Sequence, residues 1–557
     1  MGSKRTEDDV DPVTLEVLWS RLIRIAEEMG THLHRTAFSE VVKHAQDFST
    51  AVFSGDGRLL AQGVYTPGHL GCMPHAMAEI LDRFPAETWA PGDVVATNDP
   101  YIGAGHLTDI YTFEPAFVDG ELVGFAVATA DYIDIGGSGP GSIAMYASDM
   151  YEEGLQLPPV KLRKAGELNE ELVATIVENS REPEKVHGDL RAQLGASAVG
   201  RDLYCDLVEE YGIDVVDRYV DEIVERSETS MRAAIAELPD GEYSFEERMD
   251  GFDEPLPIRV RIVVDGDDLT VDFEGTADQR SGHAINATAN FTFAYVLFTI
   301  KAAIDPDTPQ TGGAVRPISM TAPEGSLVNV RPPAPVSARA RLVNHLISTI
   351  NGALHEAVPE SVPACGGQQH VVMAKFTDAG DGRQQILMDG FYGGTGARPT
   401  RDGVPAVASG ANLQNNPIEV IEAGFPVRVG RYELLGDTAG AGRYRGGTAT
   451  VRELAFEADA QVQLLAERFE FGSYGLDGGH EGRRGRADLL GADGADRSLS
   501  SKERFTARAG DVLRIRTAAG GGYGPPDERD RDAIDADVDD GLLSTERARE
   551  VYGVARD

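Results

Sequence analysis

Residues 98–110 are the segment that most constrains how this chain can fold. The segment reads NDPYIGAGHLTDI, so a turn, two glycines, one histidine and two aspartates lie within thirteen positions. Strand-like runs at 93–97 and 110–113 precede and follow it. Polar groups in a short loop between two strands are typical of enzyme sites held on a rigid framework. The pattern therefore predicts a functional loop carried by β-strands.

The charge of the chain excludes several classes of binding protein. It has 557 residues with 91 acidic and 51 basic side chains, which gives a net charge of -40. Such a surface repels phosphate, so we expect neither nucleic acid nor an anionic membrane as a partner. Only eight of the 51 basic residues are lysines. Acid enrichment with lysine depletion favours adaptation to a salt-rich cytoplasm. In molar salt the screening length falls to about 3 Å, which relieves the repulsion between acidic side chains on the surface. The alternative is an ordinary acidic enzyme.

The cysteines and the apolar runs favour a cytoplasmic protein. Cys72, Cys205 and Cys365 are isolated and odd in number, which argues against a disulfide framework and a thiolate zinc site. The start of the chain is polar. The strongest apolar run, 291–300, is shorter than the roughly 18 residues that span a bilayer. We therefore expect a reducing, cytoplasmic setting.

The periodicity of apolar residues predicts a multi-domain α+β fold. Helical spacing occurs at 12–36, 74–84, 166–236, 290–304 and 340–358, whereas 243–273 alternates in the manner of strands. From about 420 the sequence is rich in glycine and in strand formers. We expect four units: an N-terminal α+β domain with a candidate metal site at 10–240, a middle mixed α/β domain at 241–420, a β-rich C-terminal domain at 421–525, and an acidic helical tail at 526–557.

His106 and Asp109 are the first candidate ligands of a divalent metal. A neutral imidazole and carboxylates form a normal ligand set for such an ion. On a regular strand the two side chains would point to opposite faces. They can share an ion only if His106 still lies in the loop, where Gly103 and Gly105 give the backbone freedom. The alternative is that His106 is a hydrogen-bonded loop residue and Asp109 a turn or cap former.

Further candidates lie at two other strand ends. Asp131 follows a predicted strand at 122–128 and could supply a third ligand. The glycine run at 136–141 offers backbone N–H groups to an anion, although a plain loop is the alternative. Asp47 begins another strand, where an isolated aspartate is usually a cap.

Five histidines at 32, 34, 44, 69 and 75 are close in sequence, but no spacing fixes their geometry. The chain has no GxxxxGKS/T motif for ATP.

Many ordered motifs make the chain similar to a known family. They lie at 11–17, 47–49, 92–101, 106–110, 153–162, 188–193, 322–326, 442–447 and 520–524. On these residues the chain resembles the hydantoinase B/oxoprolinase family, the B subunits of ATP-dependent N-methylhydantoinases. It is also similar to the α subunits of acetone-type carboxylases and to the C-terminal part of 5-oxoprolinase.

The resemblance implies a partner and a metal. Family members act in hetero-oligomers with an A-type ATPase subunit, which activates the substrate with ATP, while the B-type chain supplies a divalent-metal site. The family's ligands fall on His106, on Asp109 and on a histidine that is replaced by Asp131 here. A ligand set with one imidazole and two carboxylates should favour Mn²⁺, Mg²⁺ or Fe²⁺ over Zn²⁺. The alternative is that the replacement of histidine indicates a lost or altered activity.

The leading hypothesis is therefore a B-type enzyme subunit that hydrolyses a cyclic amide such as a hydantoin or 5-oxoproline. Asp47 or Asp134 would act as the base or support the ligands, and the 136–141 loop would hold developing negative charge. One alternative is the α-type subunit of an ATP-dependent ketone carboxylase. Another is a non-catalytic scaffold subunit, which the missing histidine at position 131 would favour.

Overall fold

The computed structural model describes residues 10–377, 382, 384–407 and 410–554. The polar first residues, 1–9, and the end of the expected tail, 555–557, lie outside the described residues. The described ranges contain eleven α-helices: α1 (Pro12–Thr36), α2 (Glu40–Lys43), α3 (Pro67–Arg83), α4 (Glu170–Glu178), α5 (Pro183–Tyr211), α6 (Ile213–Ala236), α7 (Ala289–Ile304), α8 (Val343–Leu354), α9 (Ile418–Gly424), α10 (Arg531–Asp539) and α11 (Thr545–Tyr552). Within these ranges, none is long and apolar enough to cross a bilayer.

The first helix begins and ends where the sequence predicts it. Asp11 caps α1 by accepting a hydrogen bond from the Thr14 backbone N–H at 3.0 Å, and Pro12 occupies the first turn. One face is apolar and buried, as expected for helical spacing: it contains Leu15, Leu18, Leu22, Ile25 and Met29. This face packs against α5 and against the first sheet.

The first sheet carries the candidate site. Its seven strands are β1 (Phe48–Ser54), β2 (Leu59–Gln62), β3 (Val94–Thr97), β4 (Asp109–Val118), β5 (Glu121–Asp131), β6 (Val160–Lys164) and β7 (Glu167–Leu168). They lie in the order β2-β1-β5-β4-β3-β6-β7, and all their pairings are antiparallel. Nearly every residue of β4 and β5 is buried, because α1, α3 and α5 pack on this sheet. The central strands are thus shielded from solvent.

The second sheet follows the end of α6, near the predicted boundary at 240. Its strands are β8 (Gly241–Met249), β9 (Leu256–Asp265), β10 (Asp268–Asp272) and β11 (Ile318–Thr321), in the order β11-β10-β9-β8. Burial alternates along β8 and β9. Helix α8 packs against these two strands, so one face of the sheet is covered.

The remaining strands form two further sheets around a second apolar core. They are β12 (Gln369–Thr377), β13 (Gln384–Tyr392), β14 (Val427–Leu435), β15 (Ala449–Phe456), β16 (Ala460–Leu465), β17 (Arg486–Leu490), β18 (Arg497–Leu499), β19 (Lys502–Ala507) and β20 (Val512–Arg516). The third sheet has the order β13-β12-β16-β19 and the fourth β14-β15-β20-β17-β18. In the third sheet, β12 and β13 precede residue 420 in the sequence, whereas β16 and β19 follow it. The domain boundary expected at residue 420 therefore runs through a sheet. The predicted mixed α and β fold is confirmed.

A buried ion pair links the third sheet to the fourth. Arg452 on β15 and Asp389 on β13 are fully buried, and Arg452 Nε lies 3.2 Å from Asp389 Oδ2. The guanidinium also lies over the rings of Phe391 and Tyr432, 5.3 and 4.8 Å from their centroids. Burial raises the pKa of Asp389 to about 6, and the charge of Arg452 opposes that rise. At neutral pH each buried charge therefore depends on the other.

Replacing one member of this pair should destabilise the protein far more than replacing both. We expect Arg452→Met to lower the free energy of unfolding by about 3–5 kcal/mol, because Asp389 would be left without its partner in an apolar core. The double variant Arg452→Met, Asp389→Leu should regain most of that loss. Urea denaturation followed by circular dichroism measures both changes.

The matched control is Arg428→Met, which removes an arginine from an exposed pair. Arg428 Nε lies 2.9 Å from Glu457 Oε1, and both side chains are at least half exposed. Its loss should cost at most about 1 kcal/mol. Equal destabilisation by the single and double Arg452 variants would contradict the dependence of the two buried charges on each other.

Candidate metal centre

Three neighbouring strands of the first sheet bring three aspartates to one edge. Asp109 begins β4, Asp131 ends β5, and Asp47 immediately precedes β1. Asp109 and Asp131 are direct partners in the antiparallel register. The Asp131 backbone N–H donates to the Asp47 carbonyl at 3.0 Å. Because strand pairing fixes these backbones, the three carboxyl groups are close although they are far apart in sequence.

His106 lies in the loop between β3 and β4, as sharing an ion with Asp109 requires. Gly105 has a φ of +82°, and a Cβ atom there would lie only 3.0 Å from the Cβ of Phe291. His106, Asp109 and Asp131 each offer one ligand atom, and these atoms lie within 4.8 Å of one another. The structure therefore brings the three predicted ligands together.

The loop is held in place by neighbouring polar groups. The Asn98 side-chain amide donates to the Leu107 carbonyl at 2.7 Å and to the Leu155 carbonyl at 2.8 Å. The backbone N–H of Thr108 lies 3.3 Å from His106 Nδ1, and the Thr108 hydroxyl also contacts this nitrogen. His106 Nε2 is 3.3 Å from Asp109 Oδ2. Such contacts fix the ring orientation of a candidate ligand.

Two residues that the sequence analysis did not assign hold Asp109. His69 Nε2 lies 2.9 Å from Asp109 Oδ1 and 3.7 Å from Asp47 Oδ1. Arg339 donates from Nη2 to Asp109 Oδ2 at 2.6 Å, and its guanidinium lies 4.3 Å from the centroid of the Phe291 ring. The histidine group in the sequence contained His69, but no sequence signal connects Arg339 to a loop more than 200 residues away.

The electrostatics of the cluster suit a cation. Burial, helped by Arg339, lowers the pKa of His106 to about 3, so its imidazole is neutral, as a metal ligand must be. Burial opposes ionisation of Asp109, but His106, His69 and Arg339 together lower its pKa. Burial raises the pKa of Asp131, and the charges of Asp47 and Asp109 raise it further. The donor set fits a divalent metal ion, because such an ion would offset this repulsion between buried carboxylates.

Asp134 is not part of the cluster. Its Oδ2 accepts a hydrogen bond from Arg181 Nη1 at 2.7 Å, and its Oδ1 accepts from the Arg181 and Gly136 backbone N–H groups at 2.8 and 3.1 Å. Arg181 also donates to the Gly136 carbonyl. Both oxygens of Asp134 are thus occupied in holding the glycine loop. The cavity beside the cluster is lined by other described residues, and neither Asp134 nor the glycine loop at 136–141 is among them. This placement does not support the predicted roles of Asp134 and of the glycine loop.

A cavity of about 80 Å³ adjoins the cluster. We call the part lined by Asp47, His69, His106 and Asp131 the acidic side. We call the part lined by Arg341, Asn344 and Gln369 the basic side. Apolar side chains form much of the remaining wall: Ile143, Phe291, Val343, Val371, Met388 and Leu465. The arrangement can place a small molecule between the candidate metal ligands and apolar walls.

Fold and site together define a mixed α and β protein with an acid–imidazole cluster at a cavity. The chain belongs to the hydantoinase B/oxoprolinase family, whose family model matches residues 11–526. The resemblance seen in the sequence motifs is thereby confirmed.

Several named relatives are similar over nearly the whole chain. The B subunit of a putative D-/L-hydantoinase from Pseudomonas sp. strain NS671 is 36% identical over 567 residues, covering 98% of this chain and 95% of that protein. The beta subunit of caprolactamase from Pseudomonas jessenii is 32% identical over 566 residues, covering 98% and 97%. The 5-oxoprolinase of Dictyostelium discoideum is 29% identical over 538 residues, covering 94% of this chain and 41% of that longer protein.

Two solved structures share the fold. The crystal structure of ATP-dependent caprolactamase from Pseudomonas jessenii matches with a TM-score of 0.89 and 30% identity, covering 98% of this chain and 97% of that chain. Nucleotide-free acetone carboxylase matches with a TM-score of 0.88 and 19% identity, covering 98% and 80%. The second likeness concerns the fold alone.

The cluster should bind metal through His106 and Asp109. We expect the full chain, purified with MnCl₂ and desalted, to retain about one ion per chain. His106→Ala and Asp109→Ala should lose that ion, because each removes a donor from the triad. Elemental analysis by mass spectrometry measures the content, and thermal melting checks that the variants are folded.

The matched control is His283→Ala, which removes a half-buried histidine stacked on Phe252 outside the cavity. This variant should keep the metal content of the wild type. Unchanged metal content in folded His106→Ala and Asp109→Ala variants would contradict the assignment of the site.

The residue at position 131 should set the metal preference. Asp131→His replaces a hard carboxylate with an imidazole, and nitrogen ligands suit Zn²⁺ better than Mn²⁺ or Mg²⁺. We expect the variant to bind relatively more zinc than the wild type when both are equilibrated with an equimolar Zn²⁺ and Mn²⁺ mixture. An unchanged zinc-to-manganese ratio would mean that Asp131 does not coordinate the ion.

Proposed function

We propose that this chain is the B-type subunit of an ATP-dependent complex that hydrolyses a cyclic amide. The main support is the family match over 11–526 together with the buried triad of His106, Asp109 and Asp131 at a cavity. Relatives at 36% and 32% identity are named as the B subunit of a putative hydantoinase and the beta subunit of a caprolactamase. Because the sequence has no P-loop motif, we assign ATP binding to an A-type ATPase partner.

We assign the ion-binding role to His106, Asp109 and Asp131. When bound, a divalent ion would supply Lewis acidity toward an amide or activated carbonyl and make a water more acidic. The donor set of one imidazole and two carboxylates favours Mn²⁺, Mg²⁺ or Fe²⁺ over Zn²⁺. Arg339 and His69 position Asp109 by holding one carboxylate oxygen each.

We assign proton transfer to Asp47, which lines the cavity beside the triad. The Thr66 hydroxyl donates to Asp47 Oδ1 at 3.1 Å and orients the carboxylate. Asp47 would take a proton from the attacking water and return it to the ring nitrogen as the amide bond breaks. Phe291 and the other apolar walls keep bulk water away from the reacting amide.

Ketone carboxylation is the second candidate reaction. It is supported by the fold shared with acetone carboxylase, but at 19% identity that likeness concerns the fold alone. The hydantoinase and caprolactamase relatives are both above 30% identity, which favours hydrolysis. A non-catalytic scaffold is the least supported interpretation, because burying three neighbouring carboxyl groups lowers stability and a scaffold has no use for them.

The chain should hydrolyse a cyclic amide only together with its ATPase partner. We expect co-purified A-type and B-type subunits to open the ring of at least one hydantoin, lactam or 5-oxoproline in an ATP-dependent reaction. Asp47→Asn should lower kcat by about 10²–10⁴-fold, because the proton acceptor is lost. Chromatographic detection of the ring-opened product measures turnover.

The matched control is Asp202→Asn, an exposed carboxylate paired with Arg201 on the surface. It should leave turnover unchanged, since exposed pairs contribute little. Bicarbonate-dependent consumption of a ketone by the metal-loaded pair, without ring opening, would establish carboxylation instead. Full activity of Asp47→Asn would exclude Asp47 as the proton acceptor.

A further inference from the structure

Two arginines of one short helical turn line the same cavity but differ in their partners. Arg339 and Arg341 both belong to the 3₁₀ turn that precedes α8, and both are 4% exposed. Arg339 is neutralised by Asp109, with Nη2 and Oδ2 2.6 Å apart. The acceptors of Arg341 are neutral: Nη1 donates to the carbonyls of Gln369 and Leu465 at 2.7 and 3.1 Å, and Nη2 donates to Gln369 Oε1 at 2.7 Å.

Among the described residues, no carboxylate forms an ion pair with Arg341. Glu467 is near enough to raise the pKa of Arg341, but it is already engaged elsewhere, since it pairs with Lys502 and lies 3.3 Å from His345 Nε2. Burial lowers the pKa of Arg341 to about 10, so the guanidinium still carries its charge at neutral pH. A buried cation without a paired anion is costly, and a ligand anion would remove that cost.

The N-terminus of α8 adds to the positive character of the basic side. This 12-residue helix has Leu342 as its N-cap residue, whose side chain offers no acceptor to the backbone N–H groups of the first turn. Val343 and Asn344, the first two residues of the helix, line the cavity beside Arg341. Helix N-termini carry partial positive charge and favour anions. The planar guanidinium is also well shaped to hold two oxygens of a carboxylate or phosphate.

The basic and acidic sides lie within reach of one small ligand. Arg339 and Arg341 line the same cavity of about 80 Å³ as His106 and Asp131. Arg339 in turn contacts Asp109 of the triad. A ligand with a reacting carbonyl at the acidic side can therefore carry an anionic group to the basic side.

We propose that the basic side, with Arg341 as its main contact, binds an anionic oxygen group of the substrate. The inference rests on the proposed function and narrows its substrate class to cyclic amides that carry negative charge when they occupy this cavity. That charge has two possible sources: a carboxylate on the ring, or a phosphoryl group attached when ATP activates the amide. Arg341 is a specificity-determining residue in this assignment.

Binding measurements on the full-length chain test the proposal without any turnover. Isothermal titration calorimetry compares 5-oxoproline with 2-pyrrolidinone, which has the same ring without the carboxylate, and with inorganic phosphate. We expect the wild type to bind at least one of the two anions about 10- to 100-fold more tightly than 2-pyrrolidinone. Arg341→Met should abolish that preference, and Arg341→Lys should keep part of it because it retains the charge.

The two sources of charge give different results. Preference for 5-oxoproline identifies a ring carboxylate, whereas preference for phosphate alone identifies a phosphoryl group.

Arg428→Met, which removes an exposed arginine, is the control and should bind like the wild type. If Arg341→Met does not fold, the wild type and Arg341→Lys still decide the matter. Equal binding of anions and 2-pyrrolidinone by the wild type would overturn the proposal and leave Arg341 as a clamp between β12 and β16. Absence of turnover in the complex would instead count against the proposed function.

Discussion

The antiparallel pairing of β4 with β5 is the interaction on which the candidate site depends. It places Asp109 opposite Asp131, and the pairing of β5 with β1 adds Asp47 at the same edge. Three carboxyl groups would not gather in a buried place on their own, because burial and mutual repulsion both oppose their ionisation. Backbone hydrogen bonds of a sheet covered by helices hold them there, and Arg339 and His69 supply compensating contacts.

The parts of the site that the sequence predicts are those carried by strand ends. His106, Asp109, Asp131 and Asp47 follow or precede recognisable strands, so local patterns indicate where they lie. Their role as ligands and base stays a prediction, but their proximity is a property of the fold. Asp134 differs because its surroundings depend on Arg181, which lies between α4 and α5 and which no local pattern connects to the glycine loop.

His69 and Arg339 show why the rest of the site could not be predicted from the sequence. The helix expected over 74–84 begins at Pro67, and its extra turns carry His69. Gly71 lowers helix propensity there, but it allows α7 to pack closely: a Cβ on Gly71 would lie 2.5 Å from the Cβ of Ala294. Packing thus overrides local preference. The strand order of the third sheet could not be predicted for a similar reason. Its strand β12 pairs with β16, which lies beyond residue 420 in the sequence and which only the complete fold brings near.

Because of the third sheet, the residues that line the cavity are synthesised at different times. The strands that carry Asp47, Asp109 and Asp131 leave the ribosome as one continuous block, whereas the enclosing wall pairs Val371 with Leu465 and needs a much longer chain. Long-range pairing of this kind forms slowly. The candidate metal ligands are thus synthesised well before β16, whose pairing with β12 completes this wall.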